Sequence, residues 1–235
     1  MRLLLAAAAL FALAAAEAKA QAVDLELVLA VDASGSIDED ELLLQRQGYA
    51  DAFVNPRVLN AIRSGYHRRI AVMFLEWAAI GCERVVVDWT PLSDAASAQA
   101  FGAAMMNAPH RSCPGGNAIG DAIAFAADSM ATNGFQGERL VIDMSSDGPN
   151  TLGRRAEAAR DAAVAQCIVI NGLALTSPGR SWYGASLVQH YKTAIIGGPG
   201  AFVIEAEKGE AFADAVLAKL IREISALERS GPTPN

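Results

Sequence analysis

The chain alternates between short apolar runs and longer stretches with helical spacing. Residues 25–31 read Leu-Glu-Leu-Val-Leu-Ala-Val, a nearly continuous apolar run of strand length. Such runs suit strands covered on both faces of a parallel sheet. From residue 39 to about residue 62 the spacing becomes helical, with Leu42, Leu43, Tyr49, Phe53 and Val54 as the apolar stripe. Strand-like runs follow at 70–75 and 85–89. The short Gly81-Cys82 break between them predicts a hairpin, and hence one antiparallel strand.

Residues 93–106 and 118–130 read as helices, 140–144 as a strand, 154–166 as an Ala-rich helix and 168–175 as a strand. A Gly/Ser/Pro-rich loop over 176–184 leads to a short helix at 185–193, a strand at 201–204 and a last amphipathic helix at about 210–227. Strands alternating with helices imply right-handed βαβ units. The expected fold is α/β: a doubly wound, mostly parallel six-stranded sheet with one antiparallel edge strand and helices on both faces.

The N-terminus is patterned differently. Met1 and Arg2 precede a 14-residue run of Leu, Ala and Phe, followed by Glu17 and Ala18-Lys-Ala20. A short positive start, an apolar stretch and an A-x-A end are the marks of a secretory leader. The run is shorter than the ~20 residues a spanning helix needs. The expectation is a signal peptide over 1–20 cleaved after Ala20, one α/β domain over 21–229 and a polar tail over 230–235. A retained membrane anchor is the alternative reading of the leader.

Export places the protein in the periplasm or outside the cell, with no stable membrane insertion after cleavage. The net charge is −7, or −8 without the leader. An acidic chain without a basic run lacks the overall field that nucleic acid or anionic lipid would select. Export also makes disulfides possible. Cys82 and Cys113 lie in loop-like sequence and are expected to pair, two free thiols being the alternative. Cys167 opens an apolar run and is expected to be a buried free thiol.

In an open α/β sheet, ligands bind beyond the carboxyl ends of the strands. Asp32-Ala-Ser-Gly-Ser36 follows the first expected strand, Ser145-Ser-Asp-Gly148 a later one, and Gly115-Gly-Asn117 precedes a helix. Asp32, Ser34, Ser36, Asn117 and Asp147 offer only oxygen ligands, two of them carboxylates. That set suits Mg²⁺, Mn²⁺ or Ca²⁺ rather than zinc or copper. Alternate residues of a tight extended turn point the same way, and Gly35 supplies backbone freedom.

Simpler roles compete for the same residues. Ser36 and Glu39 spell a capping box, Asp147-Gly-Pro-Asn150 an ordinary turn, and Asn117 a helix N-cap. Asp143, inside a strand, needs a partner, because burying an unpaired carboxylate is costly. It is read either as an acceptor behind the ligands or as the partner of a base such as Arg139. Glu76 raises the same question with less force. His67, His110 and His190 are scattered, no catalytic motif is present, and Trp77, Trp89 and Trp182 read as packing residues. No catalytic residue is expected.

Asp32-x-Ser34-x-Ser36 after the first strand, with Asp147-Gly148 after a later one, resembles the metal-ion-dependent adhesion site of von Willebrand factor A domains. In that family a Thr from a third loop completes the set; Asn117 stands in the matching place here. The segments 141–150, 170–174 and 196–203 are similar to those of a little-characterised family of bacterial exported proteins carrying such domains. The resemblance implies a von Willebrand factor A-like fold. It also implies an adhesion-type module whose metal accepts an acidic side chain of a partner protein. A scaffold with a silent site and a metal-assisted hydrolase are the competing functions. Against the hydrolase stands the lack of a general base or Lys/Arg clamp in the motif loops.

Overall fold

The computed structural model describes residues 20–109, 113, 115–176, 186–207 and 211–225. The leader ahead of Ala20, His110, most of the Gly/Ser/Pro-rich loop with Trp182, and the polar tail lie outside the described residues.

The strands are β1 (Gln21–Val23), β2 (Glu26–Asp32), β3 (Ile70–Trp77), β4 (Arg84–Leu92), β5 (Phe135–Gly137), β6 (Leu140–Ser146), β7 (Ile168–Thr176) and β8 (Val203–Glu207). The helices are α1 (Glu39–Val54), α2 (Pro56–Ser64), α3 (Ala95–Asn107), α4 (Ile119–Met130), α5 (Ala156–Ala165), α6 (Leu187–His190), which runs into a π-helical turn, and α7 (Ala211–Ser225).

Six strands form the main sheet in the order β4-β3-β2-β6-β7-β8. All pairs are parallel except β3 with β4, the expected hairpin, which leaves β4 as the antiparallel edge. A short parallel pair, β1 with β5, lies beside this sheet; the sequence pattern did not reveal it.

β2 is buried along its whole length because both faces are covered. Leu27, Leu29 and Val31 pack against Tyr49 and Phe53 of α1, Phe101 of α3 and Leu220 of α7. Val28 and Ala30 face the other way, toward Ile119 and Ile123 of α4, Ala159 of α5 and Tyr191. Burial of this apolar surface on two faces is the main driving force for the fold.

The long helix expected from residue 39 is two helices. Asn55 accepts from Arg57 N at 2.9 Å, and Pro56 occupies the first helical position of α2, where its missing N–H costs nothing. The stripe on α1 also differs. Leu43 is exposed, while Gln45, Arg46 and Gly48 are buried beside Leu42 and Tyr49. Arg46 can be buried because Nε donates to Glu76 Oε1 at 2.7 Å.

Chain order reverses at β2. From β2 the chain builds outward through β3 and β4, then returns to place β6 on the other side. The carboxyl ends of β2 and β6 therefore face a topological switch point, the place where such sheets bind ligands.

Candidate metal site

Asp32 ends β2, and the turn after it grips its side chain: Oδ1 accepts from Ser34 N at 2.8 Å. Ser34 Oγ lies 3.2 Å from Ser36 Oγ, and Ser36 Oγ donates to Asp147 Oδ1 at 2.8 Å. Asp147, one residue past β6, points its amide back at Asp32 Oδ2 at 3.4 Å. Four of the five expected ligands thus form one chain of contacts across the switch point. Asp32, Ser34 and Asp147 are buried, and Ser36 is exposed at the rim.

Asn117 joins one residue away. Its Nδ2 donates to Ser146 Oγ at 3.4 Å, which leaves the amide oxygen as the atom able to ligate. Its loop is tied down from two sides. Asn117 N donates to Thr151 Oγ1 at 2.8 Å and Asn117 O accepts from Thr151 N at 2.9 Å. On the other side Ala118 N donates to Ala78 O at 2.9 Å. Cys82 and Cys113 form the expected disulfide across a Cα separation of 6.2 Å, so the β3–β4 loop and the Asn117 loop are covalently joined. Between them Gly115 has φ +140°, and a Cβ there would stand 2.8 Å from Ala79 Cβ.

Three local readings are corrected. Ser36 and Glu39 do not form a capping box: the cap of α1 is Asp38, which accepts from Glu41 N at 2.8 Å, leaving the Ser36 hydroxyl to Asp147. Asn117 is not the side-chain cap of α4, whose N-cap is Ala118 without a side-chain bond. Cys167 is exposed with φ +63°, because it closes the turn after α5 and β7 begins only at Ile168.

The other buried acids have partners elsewhere. Asp143 Oδ1 lies 2.6 Å from Lys219 Nζ, and Lys219 also meets Glu223. Arg139, the base first considered, donates instead to the Glu223 carbonyl oxygen. Glu76 is held by Arg46 and, at 3.6 Å, by Arg84. Both acids belong to ion pairs of the core.

Sequence reasoning missed Ser146 and His190. Ser146 Oγ accepts from Gly148 N at 3.0 Å and donates to Gly148 O at 2.7 Å, shaping the turn that carries Asp147. His190 Nε2 accepts from Asn150 N at 3.3 Å, and burial keeps its pKa below the usual value. The signal for Ser146 was available, since two serines end a largely apolar strand; nothing in the sequence tied His190 to this loop.

A hard divalent cation fits these donors. Burial pushes the Asp32 carboxyl up to about 6, Asp147's charge adding to the rise while hydrogen bonds from Ser34 and Ser146 oppose it. Two carboxylates sharing a desolvated corner repel each other, and a cation between them relieves that repulsion. Among the described residues no group of three or more His, Cys, Asp or Glu is arranged for a metal; this corner offers two carboxylates, hydroxyls and an amide.

Comparison with known proteins places the fold. A pilus adhesin, SpaC from Lactobacillus rhamnosus GG, aligns with a TM-score of 0.59 at 15% identity, over 89% of this chain and 31% of that one. Proximal thread matrix protein 1 from the mussel byssus, solved with a zinc-occupied MIDAS motif, gives 0.55 at 13% identity, over 89% and 49%. The SpRpn10 VWA domain gives 0.52 at 14% identity, over 83% and 94%. The chain thus spans about a third of the adhesin and half of the mussel protein. Its fold is that of a von Willebrand factor A domain. No curated protein matches the sequence. A family model described as a protein of unknown function, DUF1194, matches residues 22–228.

Proposed function

This chain belongs to the protein family of unknown function DUF1194, and on that premise we propose that it is an exported, metal-dependent protein-binding module. In this reading Asp32, Ser34, Ser36, Asn117 and Asp147 hold Mg²⁺, Mn²⁺ or Ca²⁺. When bound, the ion supplies an open positively charged position that accepts an acidic side chain of a partner protein. The chain's own part is to hold the oxygens in place: Ser34 N and the Ser146 turn fix the two carboxylates, and the disulfide restrains the third loop.

The observation that carries the reading is the buried meeting of Asp32 and Asp147 through Ser34 and Ser36, at the switch point of the sheet. The adhesin and the metal-bearing mussel protein, similar in fold, support an interaction role. Zinc in the mussel protein's motif adds zinc to the ions worth titrating. Binding is preferred over hydrolysis because His190, the histidine tied to this loop, has its Nε2 engaged by the Asn150 amide. Export rests on the leader pattern; no helix among the described residues is long and apolar enough to cross a membrane.

Calorimetric titration of the chelator-treated protein with Mg²⁺, Mn²⁺, Ca²⁺ and Zn²⁺, for wild type and Asp32→Ala, tests the metal. Binding in the wild type that Asp32→Ala abolishes is expected. Absence of heat near millimolar metal would instead favour a scaffold with a silent site, a reading to which the Asn117–Ser146 contact lends support. For the partner, affinity capture with and without chelator is expected to yield proteins that EDTA and Asp32→Ala both release.

A further inference from the structure

One loop at the opposite rim of the sheet concentrates basic side chains. Where α2 hands over to β3, Ser64-Gly-Tyr-His-Arg-Arg69 places two arginines and a histidine together in a chain of net charge −7. A buried carboxylate builds this loop. Asp24 Oδ1 accepts from His67 N at 2.8 Å and Oδ2 from Arg69 N at 3.2 Å. Gly65 passes so close that any Cβ would run into the same carboxylate. Between the two held amides, Arg68 has φ +57°, a left-handed conformation that costs a non-glycine residue and persists only where its surroundings impose it.

The cradle turns the side chains outward. Tyr66 is 89% exposed, and Arg68 and Arg69 are exposed beside it. Arg63, His67, Arg68 and Arg69, with Ser93 just past the end of β4, line an open pocket of about 480 Å³. No carboxylate lines it. Asp24 lies behind the loop with both oxygens engaged, Glu138 meets His67 at 3.2 Å, and Asp94, which caps α3 through Ser97, lies near enough for Arg63 to act on its charge without pairing with it. Arg63 and Arg68 form no ion pair with a described residue.

We propose that this pocket is a binding site for a phosphate-type dianion, carried by a small molecule or by a lipid headgroup. Guanidinium groups grip oxyanions through paired N–H donors. Three of them with a serine hydroxyl, and no acid in the lining, suit a tetrahedral group of charge near −2 better than a single carboxylate. The acidic average of the chain argues against a surface-wide field for anions, not against a local, prebuilt one. Tyr66, exposed with its ring 4.9 Å from that of His67, separates the two sources, since tyrosine favours the membrane–water interface.

The test uses chelator-treated protein, so that phosphate meets no metal. Inorganic phosphate is titrated by calorimetry. Phosphatidylcholine vesicles with and without phosphatidic acid are sedimented with the protein. Saturable binding is expected to weaken about tenfold or more in Arg63→Gln/Arg68→Gln, where charge-assisted contacts are lost. Arg222→Gln, on a different basic side chain of the same rim, should leave it unchanged. Phosphatidic acid-dependent sedimentation that drops with Tyr66→Ser assigns the dianion to a headgroup. Phosphate heat without sedimentation assigns it to a free solute. The proposal is overturned by neither signal, by binding that survives the double variant, or by equal loss in Arg222→Gln.

Discussion

Two buried carboxylates flank the same strand: Asp24 just before β2 and Asp32 at its end, 1% and 0% exposed. Asp24 has an amide donor on each oxygen. Asp32 has one good amide donor, at 2.8 Å, and a second at 3.4 Å that comes from another acid, Asp147. The first carboxylate is closed by the chain and serves the fold. The second carries negative charge into a corner already holding more of it. Burial alone does not single out a candidate ligand; a second buried charge beside it does. Asp143 and Glu76 extend the rule, because each is answered by a cation inside the fold.

The largest expected effect comes from breaking a closed case. Lys219→Met leaves Asp143 and Glu223 buried without their cation and should cost about 3–5 kcal/mol in urea unfolding. Burial, with help from Glu223, raises the Asp143 carboxyl from 3.8 to about 7, Lys219 opposing the shift. Between those values the folded chain binds more proton than the unfolded one, so stability falls as pH rises through this window. Asp143→Asn should flatten that slope, read from urea midpoints across the same pH range.

Next comes Asp24→Ala. It strands the amides of His67 and Arg69 and should cost about 2 kcal/mol, with faster hydrogen exchange at those two amides. Metal titration at the other rim should be unchanged. Asp32→Asn is the converse. Without metal it should cost less than about 1 kcal/mol, or stabilise the fold, because it removes a desolvated charge that Asp147 repels. With metal the wild type should gain about 2.7 kcal/mol at a hundredfold excess over Kd, and Asp32→Asn should gain nothing. Chelator-treated Asp32→Asn that unfolds as easily as Asp24→Ala would erase the contrast between the two ends of β2.

Much of this was legible from sequence. Apolar runs and helical spacing gave the strand–helix alternation, and Gly81-Cys82 gave the hairpin. Asp32, Ser34, Ser36 and Asp147 were legible as candidates because they punctuate strand ends with oxygen donors. The larger misses depend on partners far along the chain. Arg46 looks like a surface residue until Glu76 arrives from β3, and Asp143 finds Lys219 on α7 rather than nearby Arg139. The short β1–β5 pair likewise joins segments more than a hundred residues apart. The break at Asn55-Pro56 is different, since a cap followed by proline is a local signal that the apolar stripe outweighed.

The smallest expected effect concerns Asn117, where the chain departs from the adhesion-site pattern it resembles. Its Nδ2 is spent on Ser146 and its backbone on Thr151 and Leu152, so the loop is positioned without help from a metal. Asn117→Thr keeps those backbone bonds and replaces the amide oxygen with a hydroxyl on a shorter, stiffer side chain. It also releases Ser146 Oγ, whose two bonds to Gly148 keep the Asp147 turn in shape. Metal affinity should therefore rise by about threefold, the gain of one better-placed neutral ligand, with stability in chelator nearly unchanged. A fall in affinity would mean that the amide itself ligates and that Asn117 is a working variant of the site. An unchanged affinity would place the third loop outside the coordination sphere, leaving Asp32, Ser34, Ser36 and Asp147 to hold the ion.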